Sequence, residues 1–451
     1  MPRHPRIDRL DTGVTVLVET DAAIPLVDVD VVIRGGAIHD PAGRDGLTRL
    51  LARLSRRGTA SHAPVGALGS DAFDDAIESL GAALTIDVTS GAVRFHGSVI
   101  RRNLEPFFSL LCSVVLAPAL RPRDFAQVRR EAQAELVAQR DNDRWLAARA
   151  FRWALFRGHP YARSTTGTPE SIRRARVAEL RAMHEARVRA EELVVAFAGD
   201  VTRDEALRLC ACYLSEVRRG AAPATAIPEP APPRGVRVLV VDKPDRTQTQ
   251  LFVGTLGARM GEPHFYPLLV ANTAFGGTFT ARLVSEVRSK RGWSYTAQSR
   301  LYADRARDAW VVYTHPSVEN AVECLRLELD LVHAFVRRGL RASEVAFAKA
   351  FLTKSHAFDR DTAAKRLEPR VESVLFGIPS SFFERYEQHV ARVTAEQASR
   401  AVAARIGGPG GEGRDLVVTV LGPARRLEGP IGAIPGVAHI ETVPFDRVTS
   451  L

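Results

Sequence analysis

Arg288 and Tyr295 are the residues of this sequence whose type and spacing most directly suggest chemistry. A guanidinium and a phenol can both donate hydrogen bonds to a carbonyl oxygen that is gaining negative charge, and the guanidinium can also hold a carboxylate bidentately. The two residues lie either side of Gly292, which ends a helical stretch carrying Leu283, Val284 and Val287 on one side. Gly276, Gly277, Thr278 and Phe279 form a glycine loop ahead of that helix, and a strand is expected to begin at Tyr295. Other chemistry is sparse. The 12 histidines include no pair spaced two, three or four apart, and no Cys-x-x-Cys occurs, so the residues alone predict no metal site. Cys112, Cys210, Cys212 and Cys324 sit in apolar helical contexts and read as buried free thiols. Gly407 to Gly413 follows a helix and lacks the Lys-Ser/Thr of a phosphate loop, so it reads as a flexible connection.

The elements that must position these residues come as a repeat. Alternating, β-branched runs at 14–18 and 26–33 predict two strands joined by a turn as an opening ribbon. A helix with Leu47, Leu50, Leu51 and Leu54 on one face follows, then a helix at 71–80, paired strands at 83–88 and 92–99, and an apolar helix at 104–116. A long helix over 125–154, a helix over 170–186, a buried-type strand at 193–199 and a helix at 202–217 complete the unit. Residues 220–235 carry five prolines and read as a semi-rigid linker. Strands at 236–242, 249–254, 295–301 and 309–314, helices at 265–274, 280–288, 318–337, 342–358 and 395–405, and a strand at 416–422 then reproduce the order. The expected fold is α+β: two homologous halves, 1–219 and 236–451, each an antiparallel-rich sheet with helices packed on one face.

Composition narrows the function classes. The formal charge of +10 invites nucleic-acid binding, but the basic residues are almost all Arg, occur in pairs mixed with Asp and Glu, and form no long run with interleaved aromatics. No nucleic-acid partner is expected. No apolar run reaches the ~18 residues of a membrane span, and the N-terminus shows no signal-peptide core. As encoded the chain reads as cytoplasmic, or periplasmic if a leader was removed.

A duplicated α+β unit with Arg34-Gly35-Gly36 through Gly46-Leu47 to Gly58-Thr59, and with Gly276 through Tyr295 in its second half, resembles the pitrilysin/insulinase family of zinc peptidases, which includes mitochondrial processing peptidase. In active members an inverted His-x-x-Glu-His motif on the first helix holds Zn2+ and activates its water, and a distal Glu completes the site. The resemblance places Arg49 and Arg53 at the two histidine positions, Ala52 at the base position and Glu135 at the distal ligand. A guanidinium has no lone pair to offer and stays charged, so these positions would repel a metal instead of binding it. Glu135 is expected to pair with Arg49 or Arg53 across the vacated site. The resemblance further implies that Arg288 and Tyr295 match the pair that active relatives direct at the zinc site, with Gly276, Gly277, Thr278 and Phe279 lining the substrate path. The chain thus reads as a non-catalytic, substrate-binding subunit of a heterodimer whose homologous partner carries the zinc and cleaves peptides. The competing reading is an inert scaffold or peptide-binding protein of the same fold, like the core proteins of respiratory complexes.

Overall fold

The run Leu193–Gly199 is buried almost throughout, and a strand with no exposed face needs neighbours on both sides. The computed structural model describes residues 7–61, 64–223 and 226–451; Met1 to Arg6, on which the reading of the N-terminus rests, His62 and part of the linker lie outside them. The first six strands are β1 (Ile7–Arg9), β2 (Thr15–Thr20), β3 (Leu26–Arg34), β4 (Ala83–Val88), β5 (Ala92–Ile100) and β6 (Leu193–Gly199). They form one sheet in the order β1-β2-β6-β3-β5-β4. β6 runs parallel to β2, with Val194 opposite Thr15, and antiparallel to β3, with Phe197 opposite Val29. The expected ribbon of β2 and β3 therefore does not form, because the most apolar strand of the half takes the place between them.

Alternation along β6 shows how its two faces are covered. Leu193, Val195 and Phe197 join Phe73, Phe107, Phe108 and Leu209 in a core built from the half's own helices, with the Phe108 and Phe197 rings 5.1 Å apart. Val194, Ala196 and Ala198 face the other way and meet Ala363, Leu367 and Val371 of the helix Ala363–Phe376. That helix was not anticipated. Its apolar positions are spaced for one narrow stripe, and Pro369 lies inside it.

The second sheet repeats the plan. Its strands are β7 (Val236–Asp242), β8 (Gln250–Leu256), β9 (Ala297–Leu301), β10 (Ala309–Thr314), β11 (Leu416–Gly422) and β12 (Val437–Pro444), in the order β9-β10-β8-β11-β7-β12. Fully buried β11 again sits between one antiparallel and one parallel neighbour. Only the outer strand differs: β1 is antiparallel to β2, whereas β12 is parallel to β7. β12 is half polar and lies at the sheet edge, so it lacks the apolar run that marks a strand in sequence. On one face Phe252 meets both Phe151 and Tyr313; on the other Trp310 packs on Phe275 and Phe335 and donates its indole N–H to Asn272 Oδ1 at 2.9 Å. The protein is thus α+β with two homologous halves.

The compact units and the sequence halves divide differently. One unit comprises residues 1–136, 163–226 and 358–384; the other comprises 137–162, 227–357 and 385–451. A boundary at the linker therefore misses two exchanged segments, each carrying the helix that covers the second face of a sheet. The same exchange breaks the expected long helix in two, Pro122–Ala138 and Asp143–Leu155. Asn142 between them has extended dihedrals, and its side-chain carbonyl accepts from Trp145 N–H at 3.0 Å, which starts the second helix afresh.

Candidate functional site

In the first unit the helix Leu47–Ser55 presents the positions of interest. Its start is fixed by Asp40, whose buried carboxylate accepts from Gly46 N–H (2.7 Å), Thr48 N–H (2.9 Å) and Thr48 O–H (2.6 Å). Gly46 is left-handed at φ +89°, and a Cβ there would stand 2.6 Å from Gly167 Cα. Gly46→Ala should therefore cost at least ~2 kcal/mol of stability, measurable by denaturant unfolding, because two backbones touch at this point. Burial pushes the Asp40 carboxyl up to about 6, although Thr48 and Gly46 donate to it. The native state then holds this proton more tightly than the unfolded chain. Asp40 contributes stability that is complete below its ordinary pKa near 3.8 and is lost as pH rises through about 6. The loss should be roughly 3 kcal/mol by linkage, and an Asp40→Asn variant should lack this fall when unfolding is followed from pH 4 to 7.

Downstream, Arg49 and Arg53 both reach Glu135 on the helix Pro122–Ala138. Arg49 Nη2 lies 2.8 Å from Oε1 and Arg53 Nη1 lies 2.8 Å from Oε2, so the expected pairing is present to both arginines. The ladder continues: Arg53 Nη2 reaches Glu131 Oε2 at 3.2 Å, and Arg57 reaches both Glu131 oxygens at 2.7 and 2.9 Å. Burial alone would raise the Glu131 carboxyl, but Arg57 and Arg53 outweigh it and hold it below the usual range. Glu131 and Arg57 were not singled out from sequence, though the spacing was there to read: Arg49, Arg53 and Arg57 recur every fourth residue, as do Glu131 and Glu135. Ala52 points away from the ladder into the apolar core. Each charged side chain here keeps about one third of its surface in water. Glu135→Ala, which strands Arg49, should accordingly cost about 1 kcal/mol, less at high salt, in urea titrations.

The second unit places the other group. The chain turns as α-helix at Arg282–Val284 and then as a π-helical turn at Ser285–Ser289, where Lys290 N–H reaches back to Ser285 O at 3.0 Å. The expected regular helix over 280–288 is therefore widened at Arg288. Such π turns are uncommon and recur at functional positions. Leu283, Val284 and Val287 anchor the segment by burial, and Arg282 grips Glu344 with two hydrogen bonds of 3.2 and 2.9 Å. Lys290 and Arg291 are both held by Glu286. Arg288 is left without a carboxylate among the described residues. Its guanidinium instead lies 4.5 Å from the Tyr295 ring and 5.5 Å from the Phe279 ring.

Both rings are open to solvent, Tyr295 at 76% and Phe279 at 82% exposure. Tyr295 precedes the strand instead of starting it, since β9 begins at Ala297. Its place is set by buried Ser294, whose hydroxyl accepts from His315 N–H at 2.9 Å and donates to Thr296 O at 2.6 Å. Gly276, at the end of its helix, packs so closely that a Cβ would meet Ser299 N at 2.7 Å. Gly277 follows as the helix cap, Thr278 is half-buried, and Phe279 projects. Arg288, Tyr295 and Phe279 are thus brought together, while Gly276, Gly277 and Thr278 shape the loop that carries Phe279.

Residues 15–169 match the description of the insulinase family, peptidase family M16, and residues 174–352 match that of the M16 inactive domain. The chain belongs to the insulinase (M16) peptidase family. Its insulinase-family relatives include an uncharacterized zinc protease of Mycobacterium tuberculosis, 26% identical over 91% of this chain and 95% of the relative. The mitochondrial-processing peptidase subunit beta of Blastocladiella emersonii is 23% identical over 92% and 89%. A relative from Helicobacter pylori described as a non-peptidase homolog, YmxG, is 21% identical over 87% and 89%. Among solved structures, the peptidase M16 inactive domain from Pseudomonas fluorescens superposes with a TM-score of 0.85 at 23% identity, covering 93% of this chain and 98% of that one. A chain of complex III2 from Candida albicans gives 0.77 at 15% identity, covering 99% of both.

The zinc that the insulinase family implies does not fit this chain. At the position of the family's metal, two guanidiniums already occupy both oxygens of Glu135, and the residue at the base position, Ala52, is a buried methyl. Among the described residues no three His, Cys, Asp or Glu side chains gather as metal ligands. No helix among them is long and apolar enough to cross a membrane.

Proposed function

We propose that this chain is the non-catalytic, substrate-binding subunit of a heterodimeric zinc peptidase. Its partner is a homologous chain that carries zinc and hydrolyses the peptide bond. The observation that carries this reading is the contrast between its two groups. The Arg49, Arg53 and Glu135 positions are closed by ion pairs, whereas Arg288 is presented between two exposed rings with no carboxylate among the described residues to satisfy it. A guanidinium and a phenol kept free in this way suit a ligand carbonyl or carboxylate supplied from outside.

In this reading Arg288 and Tyr295 donate hydrogen bonds in trans to the carbonyl under attack at the partner's zinc site. The loop from Gly276 to Phe279 lines the peptide path, and the Phe279 ring contributes apolar contact. This chain holds no cofactor of its own, and nucleic acid has no part in its work. A relative named as a peptidase subunit supports pairing of this kind. Phe279→Ala should raise KM of the assembled pair about tenfold and leave kcat near the wild-type value, as expected for a residue that only binds substrate. An unchanged KM would remove the loop from the substrate path.

The likeness to a complex III2 chain and to a non-peptidase homolog favours one alternative, an inert scaffold of the same fold. That alternative requires that no peptidase activity depend on this chain. Reconstituting the chain with zinc-bearing homologues of its native host, and following mass and peptide hydrolysis together, separates the two readings.

A further inference from the structure

A cleft of about 380 Å³ opens in the first unit between the segment Leu116–Leu120, the end of the helix Val177–Arg187 and the residues that follow the helix Arg203–Tyr213. That volume lies within the ~300–1,000 Å³ range of small-molecule sites. Leu120 in its backbone wall has φ +42°, a left-handed conformation uncommon for any residue with a side chain. Arg181 fixes that wall by donating to Leu120 O at 3.1 Å, which keeps its remaining N–H groups at the cleft.

The polar lining carries both signs. Arg181 and Arg218 supply cationic donors, and Glu185 and Glu216 supply carboxylates. Among the described residues, Arg218, Glu185 and Glu216 form no ion pair, although most other charged groups of this unit do. His184 also lines the cleft. Its Nε2–H donates to Val115 O at 2.8 Å, which leaves Nδ1 as an acceptor, and burial keeps the ring neutral by lowering its pKa. Val188 and Val217, with Pro118 and Leu120, are the buried apolar part of the lining.

A simple anion would face two carboxylates here, and a simple cation two guanidiniums. A molecule with both charges and an apolar body meets every group. We propose that this cleft binds a short peptide of two or three residues with both termini free: its carboxylate on Arg181 and Arg218, its ammonium on Glu185, Glu216 and His184 Nδ1, and its apolar side chains on Val188 and Val217. The site goes beyond the function proposed above and needs neither a partner nor Arg288.

Isothermal titration of the isolated full chain with the dipeptide alanyl-leucine tests it, with N-acetyl-alanyl-leucinamide as the doubly blocked control. The free dipeptide should bind at least about tenfold more tightly than the blocked one. Arg218→Ala and Glu216→Gln, both exposed substitutions, should each weaken the free dipeptide about tenfold and leave the blocked one unchanged. Absence of binding up to about 10 mM, equal binding of the blocked form, or indifference to both substitutions would overturn the proposal.

Discussion

Arg288→Ala should lower kcat of the assembled peptidase by about 10²–10³-fold, the usual effect of removing one preorganised donor to a developing oxyanion. Tyr295→Phe, which deletes only the hydroxyl, should lower kcat by about 10²-fold. The reason lies in how both are held. Arg288 sits in a π-helical turn anchored by buried Val287, and Tyr295 beside a serine bonded on both sides. Neither side chain must reorganise far to meet a substrate. Both are surface groups, so co-elution of the two subunits on gel filtration should be unchanged. Full activity in both variants would show that the pair takes no part in catalysis, whatever the chain binds.

The second large effect concerns the emptied site. Arg49→His with Arg53→His should give this chain a site that binds about one Zn2+ per molecule at the family position, with no such uptake expected of the parent chain. Two imidazoles four residues apart on one helix face, with Glu135 already aimed between them, supply three ligands of the kind catalytic zinc uses. Metal analysis after dialysis checks this, and addition of a chelator should reverse any gain in melting temperature. The double variant should remain without hydrolytic activity, because Ala52 offers no base. Failure to take up zinc would mean that the helix Leu47–Ser55 and Glu135 no longer share the geometry of the family's metal site.

Much of this was legible in the sequence because it rests on short-range pattern. Strands such as Leu193–Gly199 and Leu416–Gly422, and the helix Leu104–Leu116, announce themselves by their density of apolar residues. Glu135 meeting Arg49 and Arg53 followed from helix spacing together with the family resemblance. What escaped depends on distant partners. Nothing local tells β2 and β3 to stand apart; only the need of β6 for two neighbours does so. The helix Ala363–Phe376 looks ordinary until the bare face of the first sheet is known. Asp40 becomes a buried acid at the start of the helix Leu47–Ser55 only once the loop folds over it. The widening of the helix at Arg288 was likewise invisible, because π turns carry no periodic signature.

Under the proposed function this chain acts only with a zinc-bearing partner. The most direct measurement is co-purification from the native host, followed by zinc content and peptide hydrolysis on the pair and on each chain alone. The expected result is a one-to-one complex with zinc confined to the partner and hydrolysis only in the mixture, slowed about 10²–10³-fold by Arg288→Ala in this chain. A chain that purifies alone, or a partner whose peptidase activity is complete without it, would rule out the proposed function.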